Sequence, residues 1–229
     1  SLIERATQIY DFSAALKGRA APAVDVPADA PLPPPVDVPV APGAPDAPVT
    51  RAPAWTGPVQ PIDRDALAQG GFLLPEGPVT VSEESRLLKR DLLAQLRDNP
   101  RGNRILVCSP NSGEGKSFCA INLALSLAAE KDLEILLVDA DFGSPSIPQS
   151  LGLNPGPGLM DALADPMIAI EDCIVRTDLP SLSVLSAGQR SNNDTEYLTS
   201  SRTQHLLARL TEGRPERVLI FDSPPLLGA

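Results

Sequence analysis

The chain has 229 residues, with 29 acidic against 19 basic side chains, a net charge of −10 and a single histidine. That balance excludes a nucleic-acid backbone as the principal ligand, since such binding needs a concentrated positive surface. Three cysteines cannot all pair within the chain, which fits a reducing compartment, and no apolar run approaches the roughly 20 residues that span a bilayer.

Residues 1–19 place Leu2, Ile3, Ala6, Ile9 and Tyr10 at helical spacing, with Gly18 at the end. The pattern admits a short N-terminal docking helix or a frayed amphipathic tail. About half of the 26 prolines then crowd into residues 22–61, among Ala, Val and Asp. This composition is too proline-rich for a helix and too poor in large apolar groups to pack, so 20–78 reads as a disordered Pro/Ala-rich linker.

The remaining stretch, 79–229, reads as one nucleotide-binding domain. Ser82 offers an N-cap followed by early glutamates, and Leu87, Leu88, Leu92, Leu93 and Leu96 form one apolar helix face. Glu83, Arg86 and Lys89 recur every three residues on another face, a spacing that suits either a solvated surface or pairing across a subunit interface.

Residues 109–117 read S-P-N-S-G-E-G-K-S between an apolar run ending at Cys108 and an amphipathic stretch from Phe118 to Ala129. This places a phosphate-binding loop between a strand and a helix. Gly113 and Gly115 let backbone N–H groups turn inward around phosphate oxygens, and the helix aims its positive end at the same anion. Lys116 would reach the β and γ phosphates, and the Ser117 hydroxyl would ligate Mg²⁺. Pro110 stands where the general pattern has its first glycine.

Downstream, E-I-L-L-V-D-A-D at 134–141 ends an apolar run with Asp139 and Asp141, and R-V-L-I-F-D-S-P-P at 217–225 ends another with Asp222. A single acid at a strand end is commonly a turn residue or cap. Three, with a phosphate loop, make a site for Mg²⁺ and an attacking water or hydroxyl, at the strand tips where α/β folds bind ligands. The order strand, loop, helix, strand (134–138), short helices, strand (182–186), helix (195–212), strand (217–221) predicts an α/β fold, a P-loop NTPase with a mostly parallel sheet flanked by helices. Four strands are evident, and the sequence stops seven residues past Asp222, so a further C-terminal part of the domain is expected. His205 lies on an amphipathic helix and reads as an ordinary surface or core residue.

The ordered motifs P-N-S-G-E-G-K-S, L-L-V-D-A-D and V-L-I-F-D-S-P-P-L-L resemble the bacterial tyrosine kinases, a P-loop branch related to the ParA and MinD partitioning ATPases. Within that branch the chain is most similar to exosortase-associated tyrosine autokinases of exopolysaccharide loci. The resemblance implies a nucleotide cradle at Ser112, Gly113, Glu114, Gly115, Lys116, Ser117 and Phe118, binding ATP with Mg²⁺. It implies catalytic roles for Lys116, Asp139, Asp141 and Asp222. Ser117, Asp139 and Asp222 would attend the metal, and Asp141 would orient or deprotonate the attacking tyrosine. Glu83, Arg86 and Lys89 resemble the family's E-x-x-R-x-x-R self-association helix. The implied partner is a membrane-spanning polysaccharide chain-length regulator of the Wzz type, which would hold a cytoplasmic kinase at the inner membrane. Gly143 and Ser144 stand where the family carries a basic residue, Tyr197 stands where it has leucine, and Tyr10 and Tyr197 are the only tyrosines. The rival readings are a partitioning-type switch ATPase and a non-catalytic nucleotide-binding scaffold. Asn111 or Ser112 where the first rival has a lysine counts against it.

Overall fold

The computed structural model describes residues 52, 54–55, 57–73, 83–98, 103–191 and 193–227. The expected N-terminal helix, Tyr10 and Ser82 lie outside them. In chain order the elements are β1 (Val59–Gln60), α1 (Arg64–Gln69), α2 (Glu83–Asp98), β2 (Arg104–Val107), α3 (Lys116–Ala128), β3 (Glu134–Asp139) and α4 (Ile147–Ser150). They continue with α5 (Leu159–Ala164), a 3-10 turn (Ile170–Cys173), β4 (Ile174–Thr177), β5 (Leu182–Leu185), α6 (Asp194–Thr199), α7 (Ser201–Thr211) and β6 (Arg217–Asp222). The strands form one sheet in the order β1-β4-β5-β3-β6-β2. Every pairing is parallel except β4 with β5.

Alternate side chains of a strand face opposite sides of the sheet. Ile135 and Leu137 of β3, with Val218 and Ile220 of β6, bury against Ala120, Ile121, Ala124 and Leu125 of α3. Leu136, Val138 and Leu219 bury on the other side with Leu159, Met160 and Leu163 of α5 and Leu206 and Leu210 of α7. Two covered faces explain why β3 and β6 read as near-continuous apolar runs. The mostly parallel α/β sheet expected from the sequence is therefore present, with helices on both sides.

Three features differ from the expectations. First, part of the segment assigned to the linker is folded. β1 pairs with β4 as an edge strand, where flanking Pro58 and Pro61 are tolerated because one side of the backbone faces away from the ladder. Ile62 and Leu67 are buried, Asp63 caps α1 through the Ala66 N–H, and Asp178 accepts from Ile62 N at 3.0 Å while pairing with Arg64 at 2.6 Å. Second, the sheet has six strands among the described residues rather than four, because β1 and β4 are too short to show a period. Third, the helix expected over 195–212 breaks at Ser200, whose ψ of 157° leaves the helical region while its hydroxyl donates to Tyr197 O.

On α2, Leu93 and Leu96 pack on the first core, but Leu87 and Leu88 are 49% and 59% exposed. Lys89 donates to Ser126 O at 2.8 Å and pairs with Glu130 at 2.7 Å, so it sits at the C-terminal end of α3, where a cation is favoured. Cys108 and Cys119 are exposed, whereas Cys173 is buried and its thiol is pushed up to about 11, mainly by burial. No described helix is long and apolar enough to cross a membrane.

At the end of the sheet away from the phosphate loop, Arg217 is fully buried. Its guanidinium lies 3.6 Å from the Trp55 ring centroid, pairs with Glu134 at 2.9 Å and donates to Leu210 O at 2.7 Å. Arg214 adds a bond to Ala52 O, and Ala52 N donates to Glu212 O. Glu134 is half-exposed and would rehydrate if its partner were lost, which reduces the penalty below that of a fully buried pair. Arg217→Ala should therefore cost about 2–4 kcal/mol. Urea unfolding followed by fluorescence of Trp55, the single tryptophan, checks this. A change no larger than the roughly 0.5 kcal/mol typical of a surface substitution would refute the anchoring role.

Candidate functional site

The parallel register sets the geometry of the site. Val107 pairs with Asp222 across β2 and β6, and Asp139 pairs with Asp222 across β3 and β6. The phosphate loop and both acidic motifs thus leave the sheet at one level, the carboxyl ends of the strands. Residues 108–115 connect β2 to α3, and their left-handed turns fall on Gly113 (φ 77°) and Gly115 (φ 84°), with no described non-glycine residue at positive φ. A side chain at either position would be strained whatever space surrounds it. Gly115 is the N-cap of α3 and supplies no side-chain cap, which leaves the first N–H groups of that helix directed at the loop. Lys116 is the first helical residue and is only 8% exposed.

The loop is anchored at its entry. Ser223 N donates to Val107 O, and Leu226 and Leu227 N–H groups donate to the carbonyls of Ser109 and Pro110. The segment following β6 therefore runs beside the start of the phosphate loop. Phe118, expected in the cradle, packs its ring against Phe72 at 5.1 Å. Asn122, one turn on, accepts from Leu73 N and donates to Phe118 O, so the residues after α1 hold the front of α3. Ser112 and Glu114 are exposed at the loop, and Ser117 is half-buried.

The three carboxylates are brought together but differ in environment. Asp222 is fully buried, and neither of its oxygens has a hydrogen-bond partner among the described residues. Burial pushes its carboxyl up, and Asp141 adds to this, while the Ser117 hydroxyl and the Lys116 ammonium oppose it. Ser117 acts on it through proximity rather than an aligned bond. Asp139 is also fully buried, but its Oδ2 accepts from Ser146 N at 2.9 Å and Ile147 N at 3.0 Å, and its Oδ1 from Asp141 N at 3.3 Å. It therefore holds the loop between β3 and α4 in shape. Asp141 is half-buried, and its Oδ1 accepts from Ser144 N at 3.1 Å within that loop.

Neither the backbone N–H groups that donate to Asp139 nor the tie between the Leu226–Leu227 backbone and the loop has a sequence signature, since both are backbone contacts set by tertiary fold. The Asn122 contacts are equally silent in sequence. A fourth pair, Asn111 with Glu114 three residues on, was available as a short-range signal: Asn111 N and Nδ2 donate to the two Glu114 oxygens at 3.1 and 2.8 Å.

A glycine-turned loop between strand and helix, a buried lysine and a buried carboxylate on the neighbouring strand form the site of a P-loop NTPase. The family model described as ParA, NUBPL iron-transfer P-loop NTPase, matches residues 101–226. The chain belongs to this P-loop NTPase family. It is 35% identical over 127 residues to tyrosine-protein kinase ptk of Acinetobacter johnsonii, covering 56% of this chain and 17% of that protein. It is 30% identical over 123 residues to tyrosine-protein kinase YwqD of Bacillus subtilis strain 168, covering 54% and 50%. The BceF tyrosine kinase domain is similar in structure, with a TM-score of 0.54 and 27% identity over 77% of this chain and 73% of that one. The resemblance to bacterial tyrosine kinases drawn from the motifs is thus matched in sequence and in fold. The chain spans 17% and 50% of the lengths of these two kinases.

The Asp139 carboxyl, pushed by burial from an ordinary 3.8 to about 6, gives a pH signature. The backbone donors from Ile147 and Ser146 oppose that rise, and Asp222 adds to it. Between pH 3.8 and 6 the folded chain keeps a proton that the unfolded chain has lost. The linked stability is full below the unfolded value and is lost as pH rises through the folded one. From pH 4 to pH 7 the stability of the wild type should fall relative to Asp139→Asn by about 2 kcal/mol, measured by urea unfolding at each pH. A difference that stays flat across this range would show that Asp139 titrates normally.

Proposed function

We propose that this chain carries the ATP-binding part of a protein-tyrosine kinase that transfers the γ-phosphoryl group of ATP to tyrosine and thereby regulates exopolysaccharide chain length or export. The observation that carries the reading is Asp222: a buried carboxylate with no hydrogen-bond partner among the described residues, beside Ser117 and Lys116 at the phosphate loop. Leaving such a group unsatisfied costs free energy in the bare fold, and a cation in its surroundings would offset that cost.

The residues fit Mg²⁺ with a nucleoside triphosphate. Among the described residues no three His, Cys, Asp or Glu side chains converge into a metal cage. This donor set suits an ion bound mainly through phosphate oxygens and water, with Ser117 and Asp222 as its protein attachments and Asp139, whose oxygens accept from the backbone, close by. When bound, the ion would neutralise charge on the phosphate oxygens. Lys116 and the N-terminal N–H groups of α3 would bind and orient the same oxygens, which is most of what phosphoryl transfer requires. Asp141, on the loop held by Asp139, would orient the attacking hydroxyl and take its proton.

Tyr197 packs against the second core, so it makes a poor acceptor. The acceptor hydroxyl is assigned to a different tyrosine, on this protein or on another polypeptide. Self-association through Glu83, Arg86 and Lys89 belongs to this reading, with Lys89 contributing from its tether on α3. The membrane-spanning chain-length regulator and the position beside the inner membrane follow from the motif resemblance. A switch ATPase of the ParA type is the competing reading, because the family model matched is of that class.

Incubation with γ-labelled ATP, with phosphotyrosine and free phosphate counted separately, distinguishes the readings. A kinase yields protein-bound phosphotyrosine, and Lys116→Met should lower that rate by about 10² or more, the scale on which preorganised charges act. Free phosphate without phosphotyrosine would replace the kinase reading with the switch ATPase. ATP binding without either product would leave a scaffold.

A further inference from the structure

The phosphate loop lacks its usual first glycine. Pro110 occupies that place, where the ring fixes φ and removes the N–H donor, so the backbone cannot supply the conformational freedom that a glycine would. The loop nevertheless closes, through side chains. The Ser109 hydroxyl donates to Asn111 O at 2.9 Å, and Asn111 then gives both of its donors to one carboxylate, N–H to Glu114 Oε2 at 3.1 Å and Nδ2 to Oε1 at 2.8 Å. This two-point clamp spans Ser112 and Gly113, the arc immediately before Gly115 and Lys116.

We infer that Asn111 and Glu114 are positioning residues that hold the phosphate loop in its binding shape before nucleotide arrives, replacing the missing first glycine. The inference rests on the nucleotide-binding part of the proposed function and not on the identity of the phosphoryl acceptor. Two opposed effects are available to Glu114. As a negative charge at the rim of an anion cradle it would repel a triphosphate. As the acceptor of two Asn111 donors it would spare the nucleotide the cost of ordering the loop. The geometry favours the second, because both carboxylate oxygens are engaged by Asn111 and the Lys116 charge lies nearby. The Asn111 side chain, then its backbone N–H, hold the Glu114 carboxyl below the usual carboxylate range, so the acceptor stays ionised at neutral pH.

The sign of the effect separates the two. Binding of a ribose-labelled fluorescent ATP analogue with Mg²⁺ is measured for the full chain as wild type, Glu114→Ala, Asn111→Ala, the double variant and Glu114→Gln. Each alanine variant should bind roughly two- to tenfold more weakly, the range set by a single net hydrogen bond. The double variant should be no weaker than the weaker single, since both break one clamp. Glu114→Gln, which keeps one acceptor oxygen, should fall between. Melting without nucleotide should not change, because Asn111 and Glu114 are exposed. Tighter binding by Glu114→Ala would show that charge repulsion dominates and overturn the inference. Unchanged binding, additive losses, or losses that track a fall in melting temperature would overturn it as well. A wild-type chain that bound no ATP would overturn the functional reading itself, whereas a binding wild type with unaffected variants would overturn only the clamp.

Discussion

Parallel register places Val107, Asp222 and Asp139 side by side, and the position of every functional group follows from that alignment. One residue of slippage in β6 would turn its side chains to the opposite faces and carry Asp222 out from between the phosphate loop and the second acidic loop. The register is held by burial on both faces. Ile135, Leu137, Val218 and Ile220 fit the α3 side, and Leu136, Val138 and Leu219 fit the α5 and α7 side. Each such side chain contributes about 1.5–3 kcal/mol on burial, so the set outweighs the penalty of one unsatisfied buried carboxylate. The apolar sheet is thus what permits a costly group to stand where chemistry needs it.

The same logic extends to α3, whose first turn carries Lys116 and Ser117. Its front is held by Phe72 and by the Asn122 contacts, and its rear by Lys89 on Ser126 O and Glu130. Both restraints come from residues upstream of the phosphate loop. The folded segment 57–73 is in turn fastened to the sheet by β1 pairing and by Asp178. Residues that look remote from the nucleotide therefore fix the helix that binds it.

The features readable in sequence were those with a local cause. Apolar runs ending in Asp139 and Asp222 predicted the central strands because both faces of such strands are buried. G-E-G-K-S predicted a loop and helix because only glycine turns the backbone as Gly113 and Gly115 do. What escaped had causes far away in the chain. β1 lies among prolines that discourage regular structure, yet two residues suffice when β4 offers an edge. Arg217 reads as a polar interruption at the start of an apolar run, but Trp55, Glu134 and Leu210 O make its burial tolerable. Lys89 looked like one charge in a surface series, and its place on α3 depended on helix packing that spacing cannot report. Asp139 was legible as a strand-end acid, while its three backbone donors come from a loop whose shape no period encodes.

Asp222 is the point at which fold and function pull in opposite directions, so its replacement tests the account most directly. In Asp222→Asn the buried negative charge is gone while size and register are kept. Thermal melting of wild type and variant, each without nucleotide and with ATP and Mg²⁺, measures both sides of the trade. The variant is expected to melt at or above the wild-type temperature when bare, and to lose most of the stabilisation ATP and Mg²⁺ give the wild type. A variant that is less stable when bare yet equally stabilised by ATP and Mg²⁺ would show that Asp222 serves the fold alone, and would contradict the assignment of this site.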